Sequence, residues 1–193
     1  MTRSTGQRVM FWVQHLLGIG HLRRAETLSR ALLAAGFDVT LVSGGMGLPF
    51  RGVPDASFVQ LPPARAVDIY FKVLVDANGQ IIDDAGRDRR RAGLLELFEG
   101  LRPDILLTEL FPFGRRQFRF ELLPLLEAAK ARHRPPLIVS SVRDILVEPP
   151  KVERRREMRD LVARYFDLVL VHGDPSLVAF EETFTETEGI ADR

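Results

Sequence analysis

Apolar residues along this chain fall into short uninterrupted runs, separated by longer stretches in which they recur at helical intervals. Val9 to Val13 is an apolar, aromatic run that predicts a strand covered on both faces. Leu22, Ala25, Leu28, Leu32 and Ala35 follow at helical spacing, with Gly36 as a stop. Phe37 to Val42, ended by Gly44 and Gly45, and Ser57 to Leu61, closed by Pro62-Pro63, repeat the strand pattern. Ile69 to Val75 and Gln80 to Ile82 flank Asn78-Gly79, which predicts a β-hairpin. Leu94, Leu95, Leu97, Phe98 and Leu101 form a helical stripe before Pro103, and Ile105 to Thr108 is the next strand. Phe118, Leu122, Leu125, Leu126 and Ala129 predict a helix broken or kinked at Pro124. Leu137 to Ser141 is a strand, and Met158, Leu161, Val162 and Tyr165 make a helical face behind Pro149-Pro150. Leu168 to Val171 is the last strand, and Asp174-Pro175 predicts a capped helix start.

Strands buried on both faces and alternating with helices predict an α/β fold: a doubly wound, mostly parallel Rossmann-like sheet with helices on both faces, plus a small β-hairpin insertion. The domain takes up residues 1–182. Residues 183–193 are polar and acidic, with little to bury, and read as a tail or the start of a linker. Ligands of such sheets sit beyond the carboxyl ends of the strands, so function is sought there.

Composition narrows the classes. The 193 residues are 46% hydrophobic and 27% charged, ordinary for a globular protein, and a net charge of +1 provides no global field for nucleic acid. The absence of cysteine excludes disulfides, thiolate metal sites and thiol catalysis. The apolar run from Val9 to Gly20 carries Gln14 and His15 and falls well short of the roughly 20 residues of a membrane span. The expected location is therefore the cytoplasm, with the inner face of the membrane as the alternative. The arginines (24, against 3 lysines) suit bidentate recognition of phosphate and carboxylate. The runs Arg89-Arg90-Arg91 and Arg154-Arg155-Arg156 lie among acidic neighbours and read as solvated helix faces. There is no P-loop lysine, no G-x-S-x-G, no H-E-x-x-H and no paired metal-ligand spacing, so no metal site is expected.

Each strand end carries candidates. The first strand runs into Gly18-Ile19-Gly20-His21-Leu22-Arg23-Arg24, in which Gly18 and Gly20 allow close backbone approach to a ligand and a helix start favours an anion. The dinucleotide fingerprint is incomplete, because Arg23 stands at the third glycine and Val42-Ser43-Gly44-Gly45 at the expected acidic residue. His21, at the helix start where an imidazolium is disfavoured, is a candidate base for an acceptor hydroxyl, and Glu109 is the alternative base. His15 reads as packing under the loop. The fourth strand ends in Glu109-Leu110-Phe111-Pro112-Phe113-Gly114-Arg115-Arg116, in which Phe111 and Phe113 form an apolar lip suited to a sugar ring or lipid. Arg24, Arg115 and Arg143 are candidates for phosphate or acceptor anions, with Asp144 beside Arg143 and with Gly44 and Gly45 at the second strand end. Asp174 reads as a helix cap.

Phe11-Trp12-Val13-Gln14-His15 through Gly18-Ile19-Gly20-His21-Leu22-Arg23-Arg24, with Leu41-Val42-Ser43-Gly44-Gly45, resembles the N-terminal half of GT-B glycosyltransferases of the MurG-like type. Pro103 to Arg116 and Ser141-Val142-Arg143-Asp144 resemble a bacterial family of predicted glycosyltransferases in that class, so that the likeness extends from Arg8 to Glu182. The resemblance implies two Rossmann-like domains facing a cleft, the N-terminal one holding a sugar or glycolipid acceptor and the other a nucleotide-sugar. It implies hexosyl transfer without a metal or resident cofactor, and places Gly18, Gly20 and His21 on the cleft. The donor-binding domain and its signatures are absent from the sequence, so the expected function is an acceptor-side half, inactive alone. Two other readings stand beside it: a non-catalytic binding module or half of a split enzyme that pairs with a donor-binding domain in trans, and a nucleotide-binding oxidoreductase.

Overall fold

The computed structural model describes residues 6–47, 53–68, 71, 73–174, 176–190 and 192–193. Six parallel strands form the central sheet: β1 (Arg8–Val13), β2 (Asp38–Ser43), β3 (Ser57–Gln60), β6 (Ile105–Glu109), β7 (Leu137–Arg143) and β8 (Leu168–His172). Their order is β3-β2-β1-β6-β7-β8. Two further strands, β4 (Arg65–Ala66) and β5 (Leu74–Val75), pair antiparallel as a separate small sheet. The helices are α1 (Gly20–Ala34), α2 (Asp84–Leu101), α3 (Arg119–Lys130), α4 (Val152–Tyr165) and the single turn α5 (Phe180–Thr183). Sheet and helices form the α/β Rossmann-like architecture that the alternation of runs predicted.

Alternation of side chains along each strand divides the core. Val9, Phe11 and Val13 of β1 pack with Leu22 and Ala25 of α1 on one face. Met10 and Trp12 pack on the other with Leu94 and Phe98 of α2, Leu122 and Leu126 of α3, and Met158 and Val162 of α4. Both faces of the central strands β1, β2, β6 and β7 are covered, so these read as continuous apolar runs rather than alternating ones, whereas the edge strands β3 and β8 are largely exposed. Strand order reverses between β1 and β6, which pair directly from Val9↔Ile105 to Trp12↔Thr108. The loops after these two strands are therefore neighbours at the carboxyl edge of the sheet.

Several local expectations are revised. α3 is one continuous helix with Pro124 inside it, entered through a 3₁₀ turn at Arg116–Phe118. The Asn78-Gly79 turn forms, with Gly79 at φ 79° and a single bridge Val75↔Ile81, but the main partner of β5 is β4. Ile69, Tyr70 and Lys72 of the predicted hairpin lie outside the described residues, as does Pro175. Asp174 does not open a helix; its Oδ1 accepts from the Ser176 backbone N–H at 2.9 Å and hydroxyl at 2.7 Å, closing a turn. The segment from Thr183 places Phe184 and Ile190 in the main core, so it buries more than its polarity suggests.

Arg90 is the largest departure from the sequence reading. It is not on a solvated face but 1% exposed, with Nε and Nη2 each 2.8 Å from a different oxygen of buried Glu121. It also donates to the carbonyls of Gly44 and Pro62 and to Gln14 Oε1, which ties the loops after β2 and β3 to α2 and α3.

Candidate functional site

At the carboxyl edge of the sheet, register brings four polar residues together. Glu109 is paired with Ser141, and Arg143 with His172. Ile105, Leu107 and Glu109 point the same way from β6, because strand side chains alternate, and Leu107 packs in the α1-side core. α1 begins directly above this row. His21 and Arg24, three residues apart on one helix face, reach down to it.

Glu109 is the centre of the cluster and is fully buried, whereas the side chains of His21 and Arg24 are 23% and 28% exposed. Nδ1 of His21 lies 3.0 Å from Glu109 Oε1, and Nη1 of Arg24 donates to the same oxygen at 3.0 Å. Ser141 donates its hydroxyl hydrogen to Oε2 at 2.6 Å. A hydroxyl has one hydrogen, so the 2.9 Å contact between Ser141 Oγ and His172 Nε2 has the imidazole as donor. Burial, together with the positive charge of Arg24, holds His172 below its ordinary value, consistent with that neutral tautomer.

An ionised carboxylate only accepts hydrogen bonds, so the neutral His21 ring carries its proton on Nδ1 and leaves the Nε2 lone pair free. Nε2 has no hydrogen-bond partner among the described residues. His21, its side chain 23% exposed, lines a cavity of about 290 Å³, at the small end of the roughly 300–1,000 Å³ range of ligand pockets. The two candidate bases are therefore one unit, in which His21 meets the cavity and Glu109 orients it from beneath.

The other candidates are distributed between cavity and scaffold. Gly18 and Gly20 have open space where a side chain would stand, and neither adopts a positive φ, so the turn itself does not need glycine. Gly44 and Gly45 pack closely against neighbouring side chains. A Cβ on Gly44 would lie 2.2 Å from Gln14 Oε1, and one on Gly45 would lie 2.2 Å from the His15 ring, so both glycines make room for neighbouring side chains. Phe111 is buried against Phe166, at 6.4 Å between ring centroids, and forms no lip. Phe113 touches the cavity but is mostly covered by Phe180 and Phe184, edge-on at 5.5 and 5.1 Å.

Arg115 lines the cavity and donates Nε to the Gln14 carbonyl at 2.7 Å; burial lowers its pKa to about 10, against the opposing pull of Glu109. Leu110 and Arg115 adopt left-handed φ values of 69° and 59°, an uncommon strain that this loop sustains directly beside the buried carboxylate. Arg143 is exposed and lines the cavity. Asp144 is scaffold: its carboxylate accepts from the Ile145 N–H, and its carbonyl accepts from the Thr183 hydroxyl.

Sequence reasoning missed Ser141 and His172 as members of the cluster and Arg154 as a cavity residue. Among the described residues, no group of three or more metal-ligating side chains could hold an ion, and no helix is long and apolar enough to cross a membrane. A larger cavity of about 420 Å³ lies between α2 and the segments at 62–63 and 76–83, away from these residues.

Strand order and parallel register together define a Rossmann-like α/β domain. A UDP-glucosyltransferase from Polygonum tinctorium, solved in complex with 3,4-dichloroaniline and capable of glucosylating indoxyl, is similar at a TM-score of 0.50 and 14% identity. The match covers 96% of this chain and 50% of that one. The calicheamicin glycosyltransferase CalG4 is similar at a TM-score of 0.48 and 15% identity, over 93% of this chain and 51% of that one. The spinosyn rhamnosyltransferase SpnG, complexed with thymidine diphosphate, is similar at 0.47 and 17%, over 90% and 46%. The chain spans about half the length of these structures, and 29% of the Phytolacca americana UGT2 chain. At such identities the likeness is one of fold. No family model matches the sequence, and neither does any curated protein.

Proposed function

We propose that this domain is the acceptor-side part of a GT-B glycosyltransferase of the MurG-like, bacterial type, which moves a hexosyl group from a nucleotide-sugar to a hydroxyl acceptor. The observation that carries this reading is the His21–Glu109 contact: a fully buried carboxylate 3.0 Å from the Nδ1 of His21, a residue that lines a cavity at the carboxyl edge of the sheet. His21 Nε2 takes the acceptor's hydroxyl proton as the oxygen attacks the anomeric carbon. The bond from that carbon to the leaving phosphate breaks, and the nucleoside diphosphate departs with the electron pair. Glu109 fixes the ring and stabilises the imidazolium that forms. Arg24 shares Glu109 Oε1 and balances the buried charge.

Transfer also needs a donor held close to the acceptor hydroxyl. The six-stranded sheet and the small β4–β5 pair make one Rossmann-like domain, and in this reading the donor-binding surface belongs to a second domain, in cis or in trans. The proposed location is the cytoplasm or the inner membrane face. The test is to incubate the chain with UDP-, GDP- and TDP-sugars and with hydroxyl acceptors, following His21 imidazole resonances and free nucleotide. The expected result is an acceptor-induced shift of the His21 signals without nucleotide release. Nucleotide release by this chain alone would refute the acceptor-side assignment, and His21 signals unmoved by every acceptor would refute the base.

A further inference from the structure

The cavity beside His21 is lined by Arg115, Arg116, Arg143 and Arg154, and among the described residues no aspartate or glutamate lines it. In a chain with net charge +1, that is a local concentration of positive charge rather than a general property. Two of the four are already engaged: Arg115 with the Gln14 carbonyl and Arg116 with Glu157. Arg143 and Arg154 have no carboxylate partner among the described residues. Many arginines elsewhere find one, as Arg23 and Arg30 do on Glu26, Arg132 on Glu99 and Arg159 on Glu186; what sets Arg143 and Arg154 apart is that they share one cavity wall. Apart from His21 and Gln117, the rest of the wall is mostly apolar, with Phe71, Leu110, Leu146, Val147 and Met158.

From this lining we propose that the acceptor has an apolar body carrying an anionic group, a carboxylate or a phosphate, and that Arg143 and Arg154 hold the anion while His21 meets the hydroxyl. This assignment rests on the reading of His21 as the acceptor's base. Guanidinium groups bind carboxylate and phosphate through paired N–H donors, and do so most strongly where water is partly excluded. Apolar side chains beside the arginines favour this ligand over a donor diphosphate, whose ribose and sugar are polar and offer no matching surface. Arg143 stands at the end of β7 and Arg154 in the first turn of α4, so the anion bridges two elements.

The test is calorimetric titration of the chain with 6-hydroxy-2-naphthoate, its neutral amide, decyl phosphate, inorganic phosphate and UDP. The same titrations are repeated on Arg143→Gln, Arg154→Gln and the double variant, which alter side chains outside the core. The expected result is that at least one amphiphilic anion binds about tenfold or more tighter than the neutral amide and inorganic phosphate. The double variant removes that preference. Preference for the aryl acid indicates a small aromatic acceptor, and preference for decyl phosphate a lipid-borne one. Equal binding of naphthoate and amide overturns the proposal, as does UDP binding tighter than either amphiphile and lost in the same variants. Arginine-dependent anion binding with unmoved His21 signals refutes the base but leaves the anion site standing.

Discussion

Replacing Arg90 by methionine removes a charge from the centre of the protein while nearly keeping its volume. Arg90 is 1% exposed and lies with its guanidinium 5.2 Å from the Phe118 ring centroid. Both oxygens of Glu121, itself fully buried, depend on it at 2.8 Å. Gln14 Oε1 and the carbonyls of Gly44 and Pro62 lose a donor as well. Removing one partner of a buried ion pair costs about 3–5 kcal/mol, because the remaining charge is left uncompensated. The orphaned neutral acceptors push Arg90→Met toward the upper end. A domain of this size loses roughly 2–4 °C of Tm per kcal/mol, so the expected fall is on the order of 10–15 °C. Arg90→Met with Glu121→Leu removes both charges and recovers most of the loss. The assay is urea and thermal unfolding followed by circular dichroism. A single variant within about 1 kcal/mol of the wild type, or a double variant no better than the single, would refute the buried-pair account.

Gly45→Ala places a Cβ 2.2 Å from the His15 ring and is expected to lower Tm by several degrees, whereas Gly18→Ala, with open space around it, leaves Tm unchanged. Ser141→Ala strips Glu109 Oε2 of its hydroxyl donor and His172 of its acceptor, an expected loss of about 1–3 kcal/mol by urea unfolding. Burial holds His15 and His172 below the ordinary imidazole value of 6.5, so the unfolded chain binds protons that the folded one refuses. Stability is then full above pH 6.5 and falls as pH drops below it; a His15→Gln variant shows a flatter decline of Tm between pH 7 and 5.

The main architecture was legible because its signals are local. Apolar runs such as Val9–Val13 and spacings such as Leu22, Ala25 and Leu28 report burial within a few residues, and strand ends located His21 and Glu109. What escaped depends on contacts distant in sequence. Arg90 looked solvated because Asp88 is nearby, whereas its partner Glu121 is 31 residues away. His172 carries no motif; only the register of β8 on β7 brings it to Ser141. Phe111 and Phe113 beside a proline suggest an exposed lip, but Phe166, Phe180 and Phe184 supply inward partners from residues far along the chain. Gly44 and Gly45 resemble a ligand-approach turn, but their small size serves Gln14 and His15.

The central claim is that Glu109 holds His21 with its proton on Nδ1 and its Nε2 lone pair available to an acceptor. Long-range ¹H–¹⁵N correlation spectra of the imidazoles, recorded at pH 7.5 for the wild type and Glu109→Gln, test it most directly. The account predicts the Nδ1–H tautomer for His21 in the wild type, a shift of its Nε2 signal when a hydroxyl acceptor is added, and loss of the single-tautomer signature in Glu109→Gln. An Nε2–H tautomer in the wild type, or spectra of His21 identical in the two proteins, would contradict it.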